Sequence, residues 1–277
     1  MDITKLRPKN RSAIRLYIGK KYYTTKRYME WFIKDTKYAK KKVTEPLPYS
    51  HFSHQTILLR ELKGVDMELQ KNNIINLKLA VSKINNIKIE PGETFSYWKL
   101  IGKPTYKKGY VDGMVLYSGS YKAGVGGGLC QLSNLIYWMT LHTPLTVVER
   151  HRHSYDVFPD SKRTQPFGSG ATCAYNYLDL QIKNNTDYAF QLCLAVTSTH
   201  LTGEWRAEVP KLYQYEVIEK NHQITPAYFG GYIRHNQIYR KKYNQMGNML
   251  EEEYITENHA WMMYEPLLSY QEKRYDK

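Results

Sequence analysis

The sequence predicts an α+β fold: a central mixed or antiparallel β-sheet with a few helices, one of which carries a glycine-rich loop and a cysteine at its N-terminus. Three patterns point there. Leu178-Asp179-Leu180-Gln181-Ile182-Lys183 alternates at the period of a strand. Leu129, Leu132, Leu135, Ile136 and Met139 recur at three- and four-residue steps, the spacing of a helix with one buried face. Strands and helices do not alternate as repeated βαβ units, which argues against a doubly wound parallel sheet.

In chain order, Ile14, Tyr17, Ile18, Tyr22, Trp31, Phe32 and Tyr38 give broken helical spacing among basic residues, so residues 11–41 read as partly helical. Pro46 and Pro48 stop any helix and mark a linker. Residues 54–63 are ambiguous, with a strand as one reading. Asn72 or Asn73 is placed to cap a helix reaching Asn85, with Leu77, Ala80, Val81 and Ile84 on one face. Ile87-Lys88-Ile89 reads as a short strand and Glu90-Pro91-Gly92-Glu93 as a turn. Phe95-Ser96-Tyr97-Trp98 leads into a polar loop, where Tyr97 and Trp98 either wall a groove or pack in the core. Met114-Val115-Leu116-Tyr117 reads as a buried strand approaching the glycines.

Beyond the cysteine helix, residues 145–150 are rich in β-branched side chains and read as a strand, whose continuation puts His151 and His153 on one face. Residues 168–172 form a small-residue turn. Residues 178–183 and 188–196, joined by Asn184-Asn185-Thr186, read as an antiparallel pair. Residues 211–219 resemble an edge strand, Gly230-Gly231 a turn, and the chain beyond Gly247 a polar, acidic tail whose last ten residues are expected to be disordered. The expected division is a basic helical extension and linker over 1–65, a core domain over 66–200 and a C-terminal extension over 201–277.

The 277 residues suffice for a full core, and the net charge is +14, from 40 Lys+Arg against 26 Asp+Glu. Much of the excess lies early and ends in Lys40-Lys41-Lys42. Such a balance suits nucleic acid, an anionic membrane surface or an anionic wall polymer. No zinc spacing, no aromatic-basic RNA signature and no P-loop is present, so neither nucleic acid, a metal nor a cofactor is expected. The basic N-terminal segment is a candidate for contact with an anionic membrane. The cysteines, at 130, 173 and 193, form no disulfide framework; a Cys173–Cys193 bridge is conceivable, but a reducing compartment explains the usage more simply. The first residues lack the apolar core of a secretion signal and no run reaches transmembrane length, so the expected location is cytoplasmic or membrane-peripheral.

The chemistry-bearing stretch is Gly126-Gly127-Gly128-Leu129-Cys130-Gln131. Consecutive glycines suit positive φ or close backbone approach. Cys130 then falls in the first helical turn, where unpaired N–H groups and the positive dipole end favour a thiolate. His151 and His153 are candidates for the imidazole that deprotonates it. The same residues also fit a small core thiol behind a helix-entry loop, and both readings stay open.

Four segments carry a resemblance. Glu90-Pro91-Gly92-Glu93-Thr94-Phe95-Ser96, Gly126-Gly127-Gly128-Leu129-Cys130-Gln131-Leu132-Ser133, Glu149-Arg150-His151-Arg152-His153-Ser154, and Ala171-Thr172 with Leu178-Asp179-Leu180 and Asn184-Asn185 resemble the signature of the VanW family. The likeness implies an accessory role in glycopeptide (vancomycin) resistance. Relatives linked to L,D-transpeptidation further imply a cysteine acyltransferase site acting on peptidoglycan stem peptides or their precursors. On that likeness Cys130 is the nucleophile, His153 the base and His151 its reserve. Gly127, Gly128 and the N–H groups of Cys130 and Gln131 hold the oxyanion, and Arg150 binds a carboxylate through its fork. Many relatives have aspartate directly before the Ala-Thr pair, where this chain has Gly170, so Asp156, Asp160 or Asp179 would have to orient the histidine instead. The alternative function is a non-enzymatic module that binds cell-wall precursor or glycopeptide in the same cleft.

Overall fold

The structure is a computed structural model that describes residues 11–59, 66–117, 119–157 and 165–266. The chain opens with α1 (Ala13–Ile33), whose Ser12 cap accepts the Arg15 amide at 3.3 Å. After the proline linker comes β1 (Tyr49–Ile57), which starts earlier than the ambiguous 54–63 segment; residues 60–63 of that segment lie outside the described residues. Next is α2 (Met67–Ile84), capped by Asp66 rather than by Asn72 or Asn73. The two asparagines sit inside the helix, where their side chains face a neighbouring strand. Then follow β2 (Ile87–Ile89) and β3 (Thr94–Ser96). The expected polar loop instead begins with α3 (Tyr97–Ile101), because Ser96 Oγ caps the Lys99 amide and Tyr97, Trp98 and Ile101 are buried.

β4 (Asp112–Tyr117) and β5 (Ser120–Val125) make a two-stranded hairpin ahead of α4 (Leu129–Leu141). β6 (Thr146–Glu149) ends before the histidines; only His151 continues the pairing, through a single bridge to Thr172. The strand alternation expected to reach His153 therefore stops short. The remaining strands are β7 (Tyr155–Asp156), β8 (Gln181–Lys183), β9 (Phe190–Val196), β10 (His200–Ala207), β11 (Gln214–Pro226), β12 (Tyr232–Tyr243) and β13 (Met249–Met262).

The class is α+β, with several mostly antiparallel sheets in place of one central sheet. They run β1-β10-β9-β2, β11-β12-β13-β7, β3-β8-β6 and β4-β5. Only β13–β7 is parallel among the described strand pairs. The expected hairpin of 178–183 with 188–196 does not form. Asn184 Nδ2 donates to Ile89 O and Tyr188 O, turning the chain out of the β8 sheet and into the β9 sheet. β1 pairs with β10 along its length, so this sheet crosses both expected boundaries, at 65 and at 200.

The expected edge strand and polar tail form a long meander. Arg240, Lys241 and Lys242 stand opposite Glu253, Glu252 and Glu251, so cross-strand charge pairing replaces the apolar pattern that would have announced a strand. The last ten residues lie outside the described residues. No described helix is long and apolar enough to cross a membrane.

The core lies between α2, α4 and the β1-β10-β9-β2 sheet. Leu77, Ile84, Leu132, Leu135, Ile136, Phe190 and Trp205 have almost no exposed surface, and the Trp205 indole donates to Thr140 Oγ1 at 3.1 Å. Within it, the buried Asn76 holds the loop that leads into α4. Its Nδ2 donates to Val111 O at 3.0 Å and Gly127 O at 2.9 Å, and its Oδ1 accepts the Val111 amide at 2.9 Å. Asn76→Ala removes all three bonds and leaves the backbone groups unpaired, so we expect a loss of about 2–4 kcal/mol in a urea melt.

Candidate active site

The glycine loop exists because two backbones touch. A Cβ on Gly127 would lie 2.1 Å from the Gly113 carbonyl carbon on β4, a distance no side chain tolerates. Gly128 has φ +87° and a Cβ there would meet Asn73 at 2.5 Å, so a left-handed residue without a side chain is required twice over. Gly128 is also the N-cap of α4, and its amide donates to Met114 O at 3.0 Å. The result is a fixed helix start with Cys130 in its first turn.

That geometry changes which groups can hold an anion. The Gly128 amide is spent on Met114 O and the Gln131 amide on Gly128 O at 2.9 Å. The Gln131 side chain is also engaged, on Thr56 Oγ1 and Ile57 O. Among the described residues, the amides of Leu129 and Cys130 have no backbone acceptor, so these two, rather than Gly127, Gly128 and Gln131, are the open donors at the helix end.

Cys130 is half-buried, with its Sγ 3.4 Å from Cys173 Sγ and 3.6 Å from Cys173 O. The neighbouring thiol is brought there by α4 itself. Ser133 Oγ donates to Ala171 O at 2.7 Å, and Asn134 Oδ1 accepts the Ala171 amide at 2.7 Å. A Cβ on Gly170 would lie 2.7 Å from that same Asn134 oxygen, so Asn134 occupies the space an aspartate side chain would need. The hydrogen bond from the Cys173 thiol holds Cys130 below its ordinary value against the opposing push of burial. Burial, reinforced by Cys130, drives the Cys173 thiol well up. The pair thus polarises into a more acidic Cys130 and a proton-retaining Cys173. All three cysteines are free, and Cys173 faces Cys130 rather than Cys193.

The histidines divide. His151 Nε2 lies 2.9 Å from Glu149 Oε1, and its carbonyl accepts the Thr172 amide at 2.8 Å, one residue from Cys173. Glu149 Oε1 also takes Arg27 Nη2 at 2.5 Å and the Asp179 amide at 3.2 Å. Burial alone would raise this carboxyl, but the bonds from His151 and Arg27 win and hold it below its ordinary value. His153 makes no side-chain hydrogen bond among the described residues, and burial with the Arg150 charge pushes it down to about 4. Neither imidazole is hydrogen-bonded to Cys130.

The carboxylate that orients a histidine is therefore Glu149, which sequence reasoning passed over although it stands two residues before His151. Asp179 is buried and accepts from Ser96 Oγ at 2.5 Å, the Trp98 amide and the Leu180 amide; burial, against those bonds, raises it to about 6. Asp156 is buried beside Arg234 and Tyr264, and Asp160 lies outside the described residues.

Arg150 is already saturated. Its guanidinium donates to Gly170 O, Gly168 O, Thr256 Oγ1 and Asn258 Oδ1, and its plane lies 5.1 Å from the Tyr137 ring centre. It clamps the 168–170 turn to β13 and has no fork left for a ligand. Arg152 is the opposite case: it makes no hydrogen bond among the described residues, and its Nη1 is buried without a partner. Arg150, His151, Arg152, Ser154, Leu178 and Glu257 line an open cleft of about 570 Å³.

Residues 72–206 match the VanW family, described as VanW like protein, and this segment contains the glycine loop, both cysteines of the pair, Glu149, His151 and β9. Over residues 72–206, just under half of its length, the chain is VanW-like. It is 36% identical over 167 residues to the vancomycin B-type resistance protein VanW of Enterococcus faecalis, covering 60% of this chain and 61% of that one. It is 31% identical over 114 residues to the uncharacterized protein YoaR of Bacillus subtilis, covering 41% of this chain and 36% of that one. The chain thus spans less than two thirds of either relative. No solved structure matches it.

Two outcomes follow for this site. Because the two sulfurs already touch, treatment with the mild oxidant diamide should take two electrons and two protons from Cys130 and Cys173 and close a bridge. Intact mass should fall by two hydrogens, with Cys193 still alkylatable. Second, His153 is neutral in the folded state while the unfolded chain protonates near its ordinary 6.5. The folded value is the lower one, so this contribution to stability is full above about 6.5 and is lost as pH falls towards about 4. A series of melting temperatures across that window should slope more steeply for the wild type than for His153→Phe.

Proposed function

We propose that this protein serves glycopeptide resistance by acting on peptidoglycan stem peptides or their precursors, as a cysteine acyltransferase of the L,D-transpeptidase type. The observation that carries the reading is Cys130: a thiol held below its ordinary value, at a helix start with two open backbone amides. In the proposed reaction the Cys130 thiolate attacks an amide carbonyl of the stem. The C–S bond forms, the carbonyl oxygen takes the charge beside the Leu129 and Cys130 amides, and the C–N bond breaks as the departing amine takes a proton. An amine of a second stem, or water, then attacks the thioester and returns the thiol. His151, oriented by Glu149, is better suited to move these protons than His153, whose value of about 4 makes it a weak base at neutral pH.

Arg152 replaces Arg150 as the group that holds the peptide's free carboxylate. Arg150 has spent its donors on backbone, while Arg152 lines the cleft with none committed. Glu257 on the same wall disfavours a multiply charged anion, which suits a single carboxylate better than a phosphate.

A second reading has one observation in its favour: no imidazole is hydrogen-bonded to Cys130, as a pure binding module would allow. Intact-mass analysis after incubation with a stem tetrapeptide separates the two. The acyltransferase reading expects an acyl adduct on Cys130, absent in Cys130→Ser. The binding reading expects no adduct and unchanged affinity in that variant. On Cys130→Ser protein, calorimetry should show the free-acid tetrapeptide binding about tenfold more tightly than its C-terminal amide, the size of one charge-assisted hydrogen bond. Arg152→Gln should erase that preference.

A further inference from the structure

We infer that α1 is an in-plane membrane anchor that seats the protein on an anionic bilayer. The helix has two different sides. On one, Arg27 and Trp31 are buried; Arg27 pairs with Glu149, the Trp31 carbonyl accepts Lys99 Nζ at 3.0 Å, and the hydroxyls of Tyr28 and Tyr175 meet at 2.7 Å. On the other, Ile14, Ile18, Tyr22, Met29, Phe32 and Ile33 fall along one stripe at helical spacing, and among the described residues they stay largely exposed, with the Lys99 ammonium 5.0 Å from the Phe32 ring. Phe32 is 78% exposed, Ile33 73% and Ile14 72%. A run of large apolar residues on a single helical face, all facing solvent, is far from the scattered exposed leucine that needs no explanation.

The charges around the stripe say what covers it. Arg15, Lys20, Lys21 and Lys26 lie on this helix with no acidic partner among the described residues, and Arg15, Lys21 and Lys26 flank the apolar stripe at helical spacing. The helix holds one acid, Glu30, which faces the body and is tied to Arg27 at 3.0 Å and Lys34 at 3.7 Å. A second copy of this helix would bring like charges together without compensating glutamates. An acidic lipid surface neutralises them and accepts the apolar stripe at the headgroup boundary. Tyr17, Tyr22 and Tyr23 add the amphipathic rings that sit well at such a boundary. The helix carries too many charges to cross the hydrocarbon, so it lies in the plane.

The seat is connected to the cleft. Arg27, on the body side of the anchor, donates to Glu149, and Glu149 holds the His151 ring. An α1 lying on the bilayer therefore keeps the His151 region at a fixed offset from the lipid face, whatever chemistry occurs there. This inference does not rest on the proposed acyl transfer.

The test is flotation of the full chain with vesicles of one-third phosphatidylglycerol in phosphatidylcholine, against pure phosphatidylcholine. The expected result is binding to the anionic vesicles at least about tenfold stronger than to the neutral ones, weakened by high salt. The double variant Ile18→Asp with Phe32→Asp should lose that binding while keeping the wild-type melting temperature, because both side chains face solvent. Replacement of Arg15, Lys20, Lys21 and Lys26 by Ser should lose the lipid-charge preference. Equal binding to both vesicles, binding to neither, or full binding by the aspartate variant overturns the inference. So does light scattering that shows a dimer broken by Ile18→Asp, which would assign the stripe to a second copy.

Discussion

Gly127 and Gly113 set the geometry from which the rest of the candidate site is built. Their backbones approach so closely that neither position has room for a methyl group, and Asn73 and Asn76 of α2 lock the contact by hydrogen bonds to Met114, Val111 and Gly127. The cost is the backbone entropy of consecutive glycines, roughly 1 kcal/mol for each relative to alanine. Three buried hydrogen bonds from Asn76 and one from Asn73 offset it. What the arrangement gains is position. With the loop pinned to β4, α4 can start in only one place, and among the described residues its first two amides are left without a backbone acceptor. Ser133 and Asn134, one turn further on, then draw in the 171–173 segment and set the second sulfur against the first.

Charge is distributed around this frame unevenly. Glu149 serves three donors at once, from α1, from His151 and from the amide of Asp179, so removing any one partner leaves the carboxylate still held. Arg150 is the converse, a buried cation satisfied by carbonyl and side-chain oxygens and by no carboxylate. Its desolvation is met by dipoles, and it is for that reason fixed in place. Arg152, two residues on, has no hydrogen-bond partner of either kind among the described residues and feels Glu257 only through its charge. Two half-buried guanidiniums side by side, each lowered by burial first, leave the cleft electropositive even with Glu257 on its wall.

Elements whose sequence carries a single unambiguous period were legible: the apolar face of α4, the triplet of β2, the proline linker. The glycine run announces a close approach without saying to what, since Gly113 lies on β4, across the hairpin from the strand that leads into the run. Asn72 and Asn73 look like helix caps because asparagine prefers caps, and tertiary hydrogen bonding to β4 overrode that preference. The Asn184 turn looks like a hairpin because turn chemistry does not say which sheet the next strand joins. β13 was invisible because its partners are charged, so the periodicity that marks strands is carried by Glu251–Glu253 facing Lys242–Arg240. Cys173 carries no local signal in the sequence; only the packing of α4 brings it to Cys130. Glu149 is readable in principle, since residues two apart share a strand face and it stands two before His151.

These placements bear on how the proposed chemistry would have to run. The structure holds two pairs, Cys130 with Cys173 and His151 with Glu149, related by the backbone bridge from Thr172 to His151 but not joined by a side-chain hydrogen bond. Under the acyltransferase reading a Cys173 thiol that donates to the Cys130 sulfur would favour its anion and lessen the need for an imidazole there. The imidazole is then free for the later proton transfers, to the departing amine and from the incoming one. Under the acyltransferase reading a peptide lying between the pairs supplies the missing contact, with its carbonyl at the sulfur and its nitrogen towards His151. Cys173 keeps its proton because burial makes its own anion costly, and under the same reading that asymmetry would let one of two adjacent sulfurs act while the other waits.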